Sequence, residues 1–448
     1  MTRRSLGWLV LLATAFLAVH ATLASYLFDS DHEPIFYGAS IEVALYALAC
    51  LVVLRDQGTD ATASRRALVF ILIFAAILRL LLLFADPIST DINRYIWDGR
   101  VQAAGINPYK YVPADPALSF LRDDEIYPEI NRADYAHTIY PPLAQIVFYL
   151  VTRISETITA MKLAMVGFEI AAVWAILRLL KSYGLKANRV LLYVWHPLPI
   201  WEFSGSGHVD AIAVACVMLA LLAAESRRPL LAGIALGGAA LTKFFPVVIG
   251  PAIYRRWDWR LPLAGAATMI LLYLPYIGAG AKVFGFLGGY ADEEGLRDGT
   301  GLYPWVLLRH IVSIPQSAFA LYMPIAALIL AGLGLYVLFA RQRQIKGHGA
   351  DIAGAFLVVT VYTVLTSPHF PWYFAWVIPF LCFVPYWPVL YLTGSSTLLY
   401  IAGWPPSFAG GSLFYGPFVL FVAIDLVIRV IQKKEKRHGH AIAATANG

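Results

Sequence analysis

The segment Asp86-Pro-Ile-Ser-Thr-Asp91-Ile-Asn-Arg94-Tyr95-Ile-Trp97-Asp98-Gly99 gathers three carboxylates, an arginine and two aromatic rings directly after a long apolar run. A carboxylate placed there can act as a general base toward a hydroxyl. Partial desolvation raises its basicity, and a nearby cation keeps it ionised. Asp91 is the candidate base, with Arg94, Tyr95 and Asp98 as neighbours able to contact a substrate. The same residue also fits the N-cap of a helix beginning at Ile92, where an Asp would satisfy free backbone N–H groups.

Further groups of residues have types suited to binding. Gly105-Ile-Asn107-Pro108-Tyr109 and Tyr140-Pro141-Pro142-Leu143 read as turns, because Asn-Pro and Pro-Pro restrict the backbone and halt helices. Trp201-Glu202-Phe-Ser-Gly205-Ser-Gly207-His208-Val-Asp210 is an acidic, glycine-rich turn. Ionisable residues at the ends of membrane helices pair or line a cavity, so Glu202, His208 and Asp210 are site candidates. His208 and Asp210 also suit a mutual hydrogen bond or a helix cap. In Leu241-Thr242-Lys243-Phe244-Phe245-Pro246 a lysine lies between two apolar blocks that are each short for a crossing. It needs an anionic partner there or must snorkel to the interface. Ser367-Pro-His369-Phe-Pro371-Trp372-Tyr373 offers His369 either to a cavity or to an interfacial aromatic belt. Residues 279–315 contribute Tyr303, Arg309 and His310, whose positive charge suits a phosphate; the acidic stretch from Asp292 to Asp298 reads as solvated surface. Glu42 and Arg79 are predicted to pair structurally, while Glu169 and Asp425 have no obvious partner in sequence.

The run DINRYIWDGRVQAAGINPYKY, followed by IYPPLA, resembles the first large external loop of GT-C superfamily glycosyltransferases, especially bacterial polyprenyl-phosphate-mannose-dependent mannosyltransferases. The matching pattern is Asp91, Arg94, Tyr95, Gly99, Gly105, Asn107, Pro108 and Tyr109, over roughly sixty residues. The resemblance implies that Asp91 is the catalytic aspartate and that the Lys243 turn, a Lys-x-x-Pro-like motif, lies near the donor phosphate. It also implies a cavity-facing His369 from the His-x-x-Trp-Tyr segment. Phosphate-binding candidates are then Lys243, Arg94, His208 and Arg309. Candidates for sugar or acceptor contact are Tyr95, Asp98, Asn107, Tyr109, Tyr140, Glu202, Asp210 and His369. The partners it implies are a polyprenyl-phosphate sugar donor and an external glycan or glycolipid acceptor.

Elements able to position these residues must be built in lipid. Of 448 residues, 59% are hydrophobic and 14% charged, whereas soluble domains carry roughly a quarter charged. Apolar blocks of about 17 to 22 residues are long enough to cross a core of roughly 30 Å as helices, and they lack the alternation of barrel strands. The expectation is an all-α membrane protein, a polytopic bundle of about 14 transmembrane helices forming one integral membrane domain over 1–448. The blocks are 6–27, 38–54, 67–85, 158–180, 189–204, 210–225, 229–241, 244–254, 261–278, 316–340, 352–366, 371–385, 387–402 and 412–431. The N-terminal run reads as a retained helix. Basic residues mark cytoplasmic ends: Arg3 and Arg4, Arg65 and Arg66, residues 181–189, Arg227 and Arg228, Arg255 to Arg260, residues 341–346 and residues 433–437. Both termini are then cytoplasmic in a plasma membrane, the bacterial inner membrane. The large loop 86–157, with an interfacial helix near 143–154, and the second loop 279–315 face outside.

The net charge of +6 sits at the ends of apolar blocks and is not interleaved with aromatics on one face, which argues against nucleic acid. Cys50, Cys216 and Cys382 each lie within an apolar block and read as small core residues. No ligand cluster with metal spacing appears, and a sugar-phosphate leaving group does not demand a metal, so no cofactor is expected and a divalent ion stays open. The rival classes are a secondary transporter or lipid flippase and a polymerase or ligase of lipid-linked glycans. Transporters show paired repeats and midplane sites, whereas the polar residues here gather on one face.

Overall fold

The computed structural model describes residues 1–28, 32–341, 347–401 and 408–446, with side chains described as far as residue 432. Among the described residues the chain is mostly helical, with no strand. Residues 342–346 and the side chains of 433–437, two of the predicted cytoplasmic basic clusters, lie outside them, as does residue 402 at the end of one predicted block.

Helices α1 (Arg3–Ser25), α2 (Glu33–Arg55) and α3 (Ala61–Leu82) form an antiparallel start. Thr2 caps α1 by accepting from the Ser5 N–H, and Asp60 caps α3 by accepting from Thr62 and Ala63, so polar donors at both starts are satisfied. Next come α4 (Asp91–Ala103), α5 (Pro142–Thr152) and α6 (Ile158–Ser182). The expected helix near 143–154 is α5, which lies against α4. At their contact a Cβ on Gly99 would stand 2.6 Å from the Phe148 carbonyl oxygen and the Thr152 side chain, so glycine is what lets the helices approach.

Among the described residues six helices are long and apolar enough to cross a membrane: Arg3–Ser25, Glu33–Arg55, Ile158–Ser182, Arg260–Glu293, Gln316–Arg341 and Phe408–Gln432. Large apolar side chains point outward from them, with Ile270 64%, Leu328 71% and Leu413 67% exposed. In water such a surface would be a large unpaid hydrophobic patch; in lipid it is the solvated face. This is a helical membrane protein.

Other predicted blocks are shorter or broken. The block 189–204 is interrupted at His196-Pro197 and continues as a π-helix over Ile200–Gly205. The blocks 229–241 and 244–254 form a hairpin: the helix Pro229–Ala240, about 18 Å long at 1.5 Å per residue, then one 3₁₀ segment Phe245–Ile249 and one turn, Gly250–Ile253. Gly233 and Gly237 press the first arm onto Arg260–Tyr273, where a Cβ on Gly233 would collide with the Leu261 carbonyl. Residues 279–315 are largely helical, with Leu274–Phe284, Leu287–Glu293 and Tyr303–Ile311.

The basic loops meet at one end of the bundle. The N-terminal amine lies 3.8 Å from Asp56, and Lys186 lies 3.6 Å from the same carboxylate. Tyr183 donates to the Ala350 carbonyl at 2.5 Å, and Glu225 accepts from Ser182 while facing His348 at 2.9 Å. Since α3 starts beside the N-terminus, its far end delivers Asp91 to the opposite side of the bundle.

One predicted pairing differs. Glu42 does not meet Arg79; it lies 2.7 Å from His20 and accepts from the Trp201 indole at 2.7 Å. Arg79 instead grips Glu169, with Nε to Oε2 at 2.7 Å, and also donates to the carbonyls of Ala75 and Val194. Depth along separate helices was readable from the sequence, but rotation about each axis was not. Asp425 has partners too: Arg429 one turn on at 2.7 Å, and the Tyr386 hydroxyl.

Candidate active site

A cavity of about 760 Å³ opens at the end of the bundle away from the basic loops. Asp91, Arg94 and Tyr95 enter it from the first turn of α4, Asn131 to Tyr140 from the following loop, and Thr242 to Phe245 from the tip of the hairpin. Tyr290, Trp372, Tyr373 and Tyr400 close it from later segments.

Asp91 is the first residue of α4, whose N-cap is Thr90, and the Asp91 carboxylate is not the cap. Its Oδ1 accepts from the Asn131 amide at 3.0 Å and its Oδ2 from the Tyr140 hydroxyl at 3.4 Å. Among the described residues no cation stands within salt-bridge distance, so neutral donors orient the carboxylate and its remaining lone pairs are open to the cavity. Tyr140 is pushed well above its ordinary value by burial and by the Asp91 carboxylate, so it stays a neutral donor. Tyr95 is held neutral in the same way and stacks on Phe148 at 4.6 Å.

Lys243 reaches the same cavity from the hairpin tip. Its ammonium lies 2.8 Å from Asp210 and 4.1 Å from the centre of the Tyr373 ring, with the side chain 14% exposed. Asp210 is buried at the start of the helix Asp210–Glu225. Lysine thus has the carboxylate partner that burial requires, and its aromatic contact fixes the head toward the cavity.

Other predicted residues stand around this pair. Arg94 lines the cavity, but its Nε donates to Asp98 at 2.9 Å and Nη1 to the Ala136 carbonyl, so its charge is matched within α4. Asp98 is buried behind the lining, also accepting from Gln145 at 2.8 Å. Asn107 donates to the Tyr276 carbonyl and accepts from the Tyr109 N–H, while the Tyr109 hydroxyl donates to the Tyr140 carbonyl at 2.6 Å. These turn residues brace Tyr140 from outside the cavity. Glu202 and His208 are buried 2.8 Å apart just behind the wall: Tyr400 donates to Glu202 at 3.1 Å, and the His208 ring lies 4.1 Å from Trp372. His369 lines no part of the cavity. It faces Glu294 at 2.9 Å and the Gly301 carbonyl at 2.5 Å, clamping the second loop. Glu294 is therefore buried, which corrects the solvated reading of its stretch at that residue. Arg309 stands in a separate cleft.

Sequence reasoning missed Asn131, Tyr373, Tyr400, Arg132 and His137, all in the lining. Trp-Tyr at 372–373 was visible only as a possible interfacial belt. Asn131, in a polar loop, carried no signal of its own. Arg132 is matched by Glu293 at 2.7 Å. His137 is pushed below its ordinary value by burial and by the Lys282 and Arg94 cations. Among the described residues no group of three or more His, Cys, Asp or Glu side chains converges to hold a metal ion.

Among the described residues, a bundle of apolar helices encloses a cavity lined by both a carboxylate without an ion-pair partner and a lysine, the form of a membrane enzyme's site. Residues 7–258 match the family model described as Alpha-(1->6)-mannopyranosyltransferase, N-terminal domain, and the chain belongs to that family. It is also 28% identical over 274 residues to the polyprenol-phosphate-mannose-dependent alpha-(1-2)-phosphatidylinositol pentamannoside mannosyltransferase of Mycolicibacterium smegmatis. That match takes in 59% of this chain and 64% of the relative, so the chain spans a little under two thirds of its length. No solved structure matches significantly.

Proposed function

We propose that the protein transfers a sugar, mannose by its family, from a polyprenyl-phosphate donor to an external glycan or glycolipid acceptor. The observation that carries this reading is that Asp91 and Lys243, 152 positions apart in sequence, line one cavity. Asp91 takes the proton from an acceptor hydroxyl, whose oxygen attacks the anomeric carbon as the bond from that carbon to the phosphate oxygen breaks. The polyprenyl phosphate leaves with the bonding electrons, and Lys243 supplies positive charge where it builds up. Charge stabilisation of that kind is commonly the largest catalytic contribution. Phosphate is a good leaving group, so no second carboxylic acid is needed, unlike glycoside hydrolysis.

A single displacement inverts the anomeric centre, so a β-linked donor gives an α-glycoside. Asp210 pairs with Lys243 and aims it, and the phosphate shares that lysine. Tyr140 and Asn131 orient the base. The proposal includes about fourteen passages through the membrane, with the hairpin 229–253 counted as two, both termini cytoplasmic and loops 86–157 and 279–315 outside. It places the protein in the plasma membrane.

The test is transfer of labelled mannose from polyprenyl-phosphate mannose by the purified full-length protein in lipid. Asp91→Asn preserves size and the Asn131 and Tyr140 neighbours but cannot take the proton, so activity should fall by at least about a hundredfold with the melting temperature unchanged. Normal transfer by that variant sinks the assignment of the base.

A further inference from the structure

A small cavity of about 200 Å³ lies at the basic end of the bundle, at the root of the hairpin whose tip carries Lys243. Three elements meet around it. The turn after the helix Asp210–Glu225 gives Arg227 and Arg228, the end of the hairpin's second arm gives Ile253 with Arg255 just beyond, and the helix Arg260–Tyr273 gives Arg260 and Leu261. The close approach of Gly233 to the Leu261 carbonyl draws the hairpin's first arm onto that last helix and shapes the space between them.

Four guanidiniums and one carboxylate line this cavity. The carboxylate is Asp258, and Arg260 takes both of its oxygens at 2.8 Å. Glu225, next in sequence to the lining residue Ala224, is turned onto the Ser182 hydroxyl, His348 and the N–H groups of Gly349 and Ala350. Arg227 donates to the Gly347 carbonyl at 2.8 Å, a neutral partner. The lining therefore holds Arg227, Arg228 and Arg255 with no second carboxylate to match them. Basic residues at a membrane boundary set orientation by their number. They gain nothing by converging, because like charges around one small space repel. An anion between them turns that repulsion into attraction, and a guanidinium grips phosphate oxygens through paired N–H groups.

Two rings mark the depth of the cavity. Trp257 and Trp259, between Arg255 and Arg260 in sequence, are 81% and 59% exposed. Open indoles beside arginines suit the zone where head groups meet acyl chains.

We propose that this cavity binds the phosphate of an anionic membrane lipid. Arg228 and Arg255 grip the phosphate oxygens, Arg227 adds charge, and the two indoles lie against the glycerol and upper acyl region. Because Arg228 and Arg255 stand at the two roots of the hairpin, the lipid ties its arms together at the base. The binding does not rest on the transferase reading, whose donor and acceptor meet at the other end of the bundle.

The experiment is native mass spectrometry of the full-length protein equilibrated with equimolar phosphatidylglycerol and phosphatidylcholine. Phosphatidylglycerol should be retained preferentially. Arg228→Gln and Arg255→Gln should each lower that preference about threefold or more, and together roughly tenfold or more. Arg65→Gln with Arg66→Gln, which removes equal charge from another loop at the same end, should leave it unchanged. Lys243→Gln should also leave it unchanged, because the lipid is not in the main cavity. Equal retention of the two lipids, or a preference indifferent to Arg228 and Arg255 in folded protein, overturns the site. An equal loss in the Arg65 and Arg66 variant, or loss in Lys243→Gln, assigns the lipid to diffuse charge or to the main cavity and overturns it as well. Millimolar inorganic phosphate should displace little of the lipid; complete displacement would make soluble phosphate the ligand and overturn the head-group assignment.

Discussion

Among the described residues Asp91 has no ion-pair partner: Arg94, the cation nearest in sequence, sits one helical turn before Asp98 and is held there at 2.9 Å. The i,i+4 spacing favours that pairing, and Asp98 is buried more deeply than Asp91. The sequence expected a neighbouring cation for Asp91; among the described residues none lies within salt-bridge distance, and the neutral groups Asn131 and Tyr140 orient the carboxylate. Lys243 was legible because a lysine between two short apolar arms demands an anion, yet Asp210 as its partner was not, since the contact joins two helices whose rotation the sequence leaves free. Replacing Lys243 by Gln removes a charge-assisted contact to the donor phosphate worth about 1.5–3 kcal/mol. The KM for the donor should rise about ten- to a hundredfold in steady-state transfer assays, with the acceptor KM little changed; an unaltered donor KM would remove Lys243 from the phosphate site.

The element that presents Asp91 is α4, and Arg100 near its far end secures it to the rest of the loop. Its guanidinium lies 2.6 Å from Asp123 and 2.8 Å from Glu156, just before α6. Burial acts to raise the Asp123 carboxyl, but the Arg100 contact and the N–H groups of Tyr127 and Ile126 bring it down to about 2. A carboxylate lowered by folding stabilises above its ordinary value, near 3.9, and loses that contribution as pH falls from about 4 to 2. Asp123 is 33% exposed, so the contribution is a few tenths of a kcal/mol after screening. Asp123→Asn should lower the melting temperature slightly at pH 7, and the gap to the parent should close on acidification through that window. A gap independent of pH would show that Arg100 does not hold the loop through this charge. The helices themselves were largely readable from apolar length, as with α1, α6 and the span from Gln316. Less readable were α4, whose polar face turns to a cavity, and the hairpin at 229–253, where glycine packing makes a short element stable.

At the scale of the whole molecule, the basic loops collect at one end and the cavity at the other, an arrangement that the charge pattern anticipated. What the sequence did not reveal is how late segments return to the site: Tyr373 and Tyr400 come from beyond the second loop, and their positions follow from packing of the complete bundle. With Cys50 and Cys382 buried and Cys216 half-buried, single added cysteines can report orientation. In intact cells a membrane-impermeant maleimide should label Ser119→Cys, in the 86–157 loop, and reach Thr59→Cys, beside the N-terminus, only after permeabilisation. The opposite pattern would invert the proposed orientation. The central claim, that Asp91 and Lys243 share one transfer site, is tested most directly by an electron cryo-microscopy map of the Asp91→Asn protein with bound polyprenyl-phosphate mannose. The account predicts the donor phosphate within hydrogen-bond reach of the Lys243 ammonium, with the anomeric carbon facing position 91. A phosphate bound elsewhere, with the 760 Å³ cavity empty, would contradict it.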